Sequence, residues 1–233
     1  AFRTGDREAA SALWKQDGPT KTGSGVDVWG KNDRLPVVNR MFKEKNYHSA
    51  DLGYGIDCYK VGIGPGCGGI AAFKDGEYIQ PTCYTKWSLG ENGPIRSTFR
   101  LTYAGDITRD FTIDLGSDFF KVSNNWPAAV LPAAGCTSRP AATGDAAEGS
   151  GWCAAWENGD GVPCFNGVAI VVPGGSEPIT RGETKWITGT SSAGMTFWAG
   201  SCWSGGKDYR SAKDWFAAVE RFRARLEASV TVE

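Results

Sequence analysis

Histidine is scarce in this chain: His48 is its one imidazole. That excludes a histidine-built zinc centre, and a hydrolase triad would have to use His48. Neither HExxH nor Gly-x-Ser-x-Gly occurs, so the zincin and nucleophile-elbow arrangements are out. No apolar run approaches the roughly 18 residues of a membrane-spanning helix, so a membrane is not an expected partner. Charge of one sign is also lacking. The formal net charge is −1 with acids and bases interspersed, and without a basic stripe nucleic acid is not expected either. The run 62–69 is rich in glycine but has no Lys-Ser/Thr and no helix after it, which rules out a P-loop. Ala1-Phe2-Arg3-Thr4 is not a charged leader before an apolar core; it reads as a start without a signal peptide, or as a mature form that has lost one.

Seven cysteines stand at 58, 67, 83, 136, 153, 164 and 202. No CxxC pair occurs, so no zinc site is expected and no cofactor is called for, a structural calcium ion bound by carboxylates excepted. Two readings are open: buried thiols in a reducing compartment, or up to three disulfides with one thiol left over. The second is favoured, which implies export, secreted or periplasmic, with Cys153–Cys164 or Cys136–Cys153 as the local bridge in a Gly/Ala/Pro-rich stretch.

What the sequence does have is short alternating segments separated by turn residues. Residues 95–103 set Ile95, Ser97, Phe99, Leu101 and Tyr103 against Arg96, Thr98, Arg100 and Thr102, a strand with one apolar face. Residues 111–115 repeat the pattern, and Asp75-Gly76 reads as the centre of a hairpin. Further strands are expected over 26–29, 56–61, 68–73, 152–156, 168–172, 184–190 and 195–203. Leu35 to Phe42 reads as a strand start or an edge, and 124–151 as long loops. Near the C-terminus Ser211 is an N-cap, and Trp215, Val219, Phe222 and Leu226 form the apolar stripe of a helix. Residues 1–233 are read as a single domain, mainly β: an antiparallel β-sandwich with one C-terminal α-helix packed on it.

Chemistry concentrates between residues 47 and 69, where His48 has two aspartates and three tyrosines for company. In the strand 26–29 alternation puts Asp27 and Trp29 on one face. Two catalytic sets are open. For β-elimination on a uronate, His48 is the base, Tyr59 or Tyr54 the acid, and Arg96 or Lys31 the carboxylate clamp. For glycoside hydrolysis, Asp27 and Asp57 are the leading carboxylates. Trp29, Trp87, Trp156 and Trp203 are candidates for a sugar-binding platform.

The motifs at 25–31, Tyr47-His48, 53–62, 66–69 and 92–96, followed by 198–204 and the Trp-led terminal helix, carry a resemblance. Together they resemble an exported bacterial and fungal family, a domain of unknown function found among enzymes of polysaccharide breakdown. That family is similar to the galactose-mutarotase-like β-sandwiches. The resemblance implies a mutarotase-like supersandwich that takes an oligo- or polysaccharide on a concave sheet face. It leaves the chemistry open, since such sandwiches host epimerases, lyases and binding proteins alike. Taken with the residues above, the leading reading is a polysaccharide lyase with His48, Tyr59, Arg96 and Lys31 catalytic, and with Trp29, Tyr54, Asp57, Asp27, Trp156 and Trp203 binding substrate. A glycoside hydrolase using Asp27 and Asp57, or a non-catalytic glycan-binding domain, is the alternative.

Overall fold

The structure is a computed structural model that describes residues 24–32, 37–44, 47, 50–57, 59, 61, 64–127, 130–138, 144–158, 164–192, 194–206 and 208–228. In chain order the strands are β1 (Gly30–Lys31), β2 (Gly55–Ile56), β3 (Cys67–Lys74), β4 (Glu77–Ile79), β5 (Lys86–Asn92), β6 (Arg96–Thr102), β7 (Thr108–Asp114) and β8 (Phe119–Asn125). They continue as β9 (Leu131–Thr137), β10 (Asp145–Gly149), β11 (Trp152–Asn158), β12 (Phe165–Val171), β13 (Ile179–Arg181), β14 (Thr184–Thr188) and β15 (Gly194–Trp203). The helices are α1 (Val38–Met41) and α2 (Ala212–Glu227).

Pairing is antiparallel throughout the named strands. An eight-stranded sheet runs β10-β11-β12-β15-β8-β7-β6-β5, a five-stranded sheet runs β13-β14-β9-β3-β4, and β1 with β2 forms a small ribbon. The two large sheets pack face to face. Alternation along β12 decides which side chains meet: Val168 and Ile170 enter the inter-sheet core with Ile70, Ala134, Ile187 and Phe197. Ala169 and Val171 face the other way, beneath α2. Both faces of β12 are thus covered, which accounts for its unbroken apolar run.

The helix forms where the sequence predicts it. Ser211 Oγ accepts from the Asp214 backbone N–H at 3.2 Å and donates to the Asp214 carboxylate at 2.7 Å, a reciprocal cap. Trp215 and Val219 are fully buried, and Phe222 stacks on Phe119 with ring centroids 3.9 Å apart. The β3–β4 hairpin turns at Asp75 and Gly76, both left-handed with φ of 53° and 85°.

Four expectations need correcting. Residues 26–29 form no strand, Val26 alone making an isolated bridge to Gly66. The segment after Pro36 is a single helical turn, α1, rather than an edge strand. Of the expected strand 56–61 only Ile56 pairs, as the end of the Gly55–Ile56 strand, with Cys58 and Lys60 outside the described residues. The loop expected over 124–151 contains β9, which lies in the middle of the five-stranded sheet. Its small residues mark close packing: a Cβ on Gly135 would come 2.5 Å from the Trp186 ring.

A buried cation ties the N-terminal described segment to this sandwich. Arg109 on β7 is 1% exposed and donates to the Ser24 carbonyl at 2.7 Å and to the Gly68 carbonyl. Its guanidinium also lies over the Phe111 ring, 4.5 Å from the centroid. Ser24 in turn exchanges hydrogen bonds with the Ile70 backbone at 2.7 and 2.8 Å. Replacing Arg109 by Met withdraws charged donors from two backbone carbonyls. We expect a loss of about 3 kcal/mol of unfolding free energy, read from urea denaturation as a lower midpoint at unchanged slope.

Candidate functional site

Beyond Ser24 the chain runs beside residues 65–67: the Val26 N–H donates to the Pro65 carbonyl, and the Val26 carbonyl accepts from the Cys67 N–H. Val26 and Val28 pack against the inter-sheet core. Alternation then turns Asp27 and Trp29 to the opposite side, where the Trp29 indole N–H donates to Asp27 Oδ2 at 2.7 Å. The Val28 N–H donates to Asp27 Oδ1 at 2.9 Å, so both oxygens of the exposed carboxylate have a donor.

The ribbon brings the second carboxylate alongside. Gly30 pairs with Ile56 and Lys31 with Gly55, which leaves Asp57 one residue beyond the pairing. A Cβ on Gly30 would lie 2.4 Å from the Trp203 ring, so this close approach requires glycine. Asp57 is 3% exposed. Burial, and then the charge of Asp27, pushes its carboxyl up to about 8, against an opposing pull from the Tyr59 backbone N–H. Tyr47, whose carbonyl accepts from the Asp57 N–H at 3.0 Å, closes the cluster. Its phenol is pushed up by burial and then by the charges of Asp57 and Asp27. Trp29, Phe42 and Tyr47 pack together with ring centroids 5.3 to 5.6 Å apart. Two carboxyl groups in unlike environments beside a phenol and an indole are equipped for proton transfer near neutral pH.

The other sequence candidates distribute differently. His48 lies outside the described residues. Tyr59 is 2% exposed in the inter-sheet core and donates to the Thr137 carbonyl at 2.9 Å; burial holds its phenol well above the usual range, so it is no substrate acid. Arg96 does not join the cluster as a clamp. It makes a two-pronged ion pair with Asp114, at 2.6 and 3.0 Å, on an exposed face of β6 and β7. Trp156 is buried beside α2 and stacks on Phe165, so it offers no platform. Trp203 is wedged against Gly30 and the turn at Gly205 and Gly206 and is only 8% exposed, and what remains open of it faces a cleft away from the acid pair. Trp87 remains 37% exposed on β5. Tyr54 lies under the Arg40 guanidinium, 3.6 Å from the ring centroid. Lys31 lines a separate cleft of about 320 Å³ together with Asn32, Asp118, Trp203 and Tyr209.

Among the described residues no group of three or more His, Cys, Asp or Glu side chains could hold a metal ion, so the calcium expectation finds no ligand set there. No helix among them is long and apolar enough to cross a membrane. The six described cysteines are thiols. Cys164 packs with Ile56 and Trp203, apart from Cys153, whereas Cys136 and Cys153 face each other across the two sheets with sulfurs 3.6 Å apart.

Residues 5–232 match the family described as domain of unknown function (DUF4861). The chain belongs to that family. A relative is the uncharacterized protein P7 of Formosa agariphila, 24% identical over an alignment of 235 positions that covers 90% of this chain and 58% of that protein. The chain thus spans little more than half the length of the curated relative it matches. Among solved structures, a protein in the glycosyl hydrolase family 38 from Enterococcus faecalis is similar with a TM-score of 0.43 at 13% identity, over 78% of this chain and 31% of that one.

The raised Asp57 carboxyl has a consequence for stability. Its folded value of about 8 exceeds the unfolded value near 3.9. Between these values the native state holds the extra proton, so raising pH through that window costs stability. Thermal melts of the parent and of Asp57→Asn, compared from pH 4 to 9, should diverge, with the variant gaining relative to the parent as pH rises. Parallel curves would show that Asp57 is ionised in the native protein.

Proposed function

We propose that this DUF4861 chain cleaves glycans by hydrolysis, with Asp57 as general acid and Asp27 as its carboxylate partner. The observation that carries the reading is the environment of the pair: one carboxyl is buried and protonated near neutral pH, and the other is exposed and held by two N–H donors. In that arrangement Asp57 donates a proton to the glycosidic oxygen as the bond to the anomeric carbon breaks. If Asp27 attacks that carbon, a water then displaces it, giving its hydroxyl to the sugar and its proton to Asp57; if Asp27 instead takes the proton of the attacking water, that proton passes through solvent back to Asp57. Trp29, held by its bond to Asp27, offers an aromatic edge to the sugar ring. The family resemblance, with its link to polysaccharide breakdown and its mutarotase-like sandwich, supports a glycan as substrate.

A second reading, β-elimination on a uronate, draws on the Tyr47 phenol beside the pair. There Tyr47, with His48 next to it in sequence, moves the proton, and neutral Asp57 donates a hydrogen bond to the uronate carboxylate. Export goes with either reading, and a Cys136–Cys153 bridge between the sheets would accompany it in an oxidising compartment.

Digestion of a polysaccharide panel tests this directly. Hydrolysis yields new reducing ends without an ultraviolet-absorbing unsaturated sugar; elimination yields both. Asp57→Asn and Asp27→Asn should each lower turnover by about a thousandfold, and the parent's rate should fall as pH rises above about 8, where Asp57 loses its proton. Full activity in both variants would overturn the assignment. Oligosaccharide binding without any product would leave a glycan-binding domain.

A further inference from the structure

The cleft of about 320 Å³ at the far end of the ribbon is assembled from four separated parts of the chain. Lys31 and Asn32 come from the end of β1, Asp118 from the turn before β8, Ser201 from β15, and Asp208 and Tyr209 from the segment leading into α2. We propose that it binds a neutral, hydroxyl-rich sugar unit, next to the unit cleaved at Asp27 and Asp57. The inference rests on the glycan reading of that pair and adds which sugar chemistry the neighbouring position accepts.

Size, donor pattern and charge each bear on the occupant. The volume lies at the lower end of ligand pockets and suits one ring. Vicinal hydroxyls both donate and accept, and the lining offers both functions: donors from Lys31 and Asn32, acceptors from Asp118 and Asp208, and hydroxyls from Ser201 and Tyr209. Among the described lining residues two carboxylates stand against one ammonium, which disfavours an anionic uronate or sulfated unit.

The site is also rigid. The Tyr209 hydroxyl donates to Asp118 Oδ2 at 2.6 Å, and the Tyr209 ring packs edge-on against buried Trp215, 5.4 Å between centroids. Burial and the Asp118 charge keep the phenol protonated, so this bond persists across the working pH range. The cleft adjoins the acid pair through the ribbon. Ile56, the residue before Asp57, packs on the same Trp203 that walls the cleft. Lys31 stands two residues beyond Trp29, about 7 Å along an extended strand and close to the length of one sugar unit.

Calorimetric titration of the parent and of the Asp57→Asn protein with lactose, cellobiose and xylobiose, and with digalacturonate as the anionic counterpart, tests the proposal. At least one neutral disaccharide should bind both proteins with a Kd of about 1 mM, and digalacturonate at least about tenfold more weakly. Asp118→Ala should weaken neutral binding about tenfold, and Tyr209→Phe, which removes only the hydroxyl, should weaken it by a smaller factor. Asp208→Lys should narrow the gap between digalacturonate and the neutral sugars. The proposal is overturned by no neutral binding, by digalacturonate binding as tightly, or by an affinity that ignores all three substitutions. Cleavage without cleft-dependent binding would overturn this proposal and leave the hydrolytic reading intact. Binding in the absence of cleavage would overturn that reading and support the subsite.

Discussion

The guanidinium of Arg109 sits inside the sandwich and, among the described residues, is met by backbone carbonyls rather than a carboxylate. A cation so far from water is costly unless its donors are matched. Here the two terminal nitrogens are met by Ser24 on the incoming segment and by Gly68 on the bulged start of β3, while Nε has no hydrogen-bond partner among the described residues. Those two carbonyls belong to the pieces of chain that must lie side by side for Asp27 to face outward. The charge therefore fixes a register: a shift of one residue in the incoming segment would exchange Asp27 with Val26 or Val28 and strand a carboxylate against the core.

From that anchor the geometry of the acid pair follows in short steps. The segment is stitched to residues 65–67, alternation turns Asp27 and Trp29 outward, and the ribbon carries the chain over Trp203. The returning strand then delivers Asp57 into a position too dry to hold its charge easily. A carboxylate in that position costs folding free energy once ionised, and such strain concentrates at working sites. The same ribbon walls the cleft, so one two-residue pairing organises both features.

Much of the architecture was legible from local pattern. The Asp-Gly turn and the stripe Trp215–Val219–Phe222 each reflect a single element's own physics and form as expected; the alternation over 95–103 gives β6, with Leu101 and Tyr103 buried, but Ile95, assigned to the same face, is 71% exposed. The shared face of Asp27 and Trp29 was legible for the same reason. Strand β9 was not, because its Ala, Pro and Gly residues are selected by the closeness of Trp186 and the facing sheet, which no local propensity records. Tyr59 was misplaced because alternation tells which residues share a side but not which side is core. Arg109 looks like any polar-face arginine in sequence. Asp118 and Tyr209 gave no signal, since they meet across 91 residues.

The two large sheets differ in width, eight strands against five. All seven residues of β5 are solvent-exposed, and Leu89 shows 47% of its surface. Strands at that rim are held mainly by their ladder bonds, whereas β12 and β15 are clamped from both sides. Amide protons of the β5–β6 hairpin therefore exchange through local opening rather than through global unfolding. That local route leaves the clamped strands β12 and β15 paired while the margin opens.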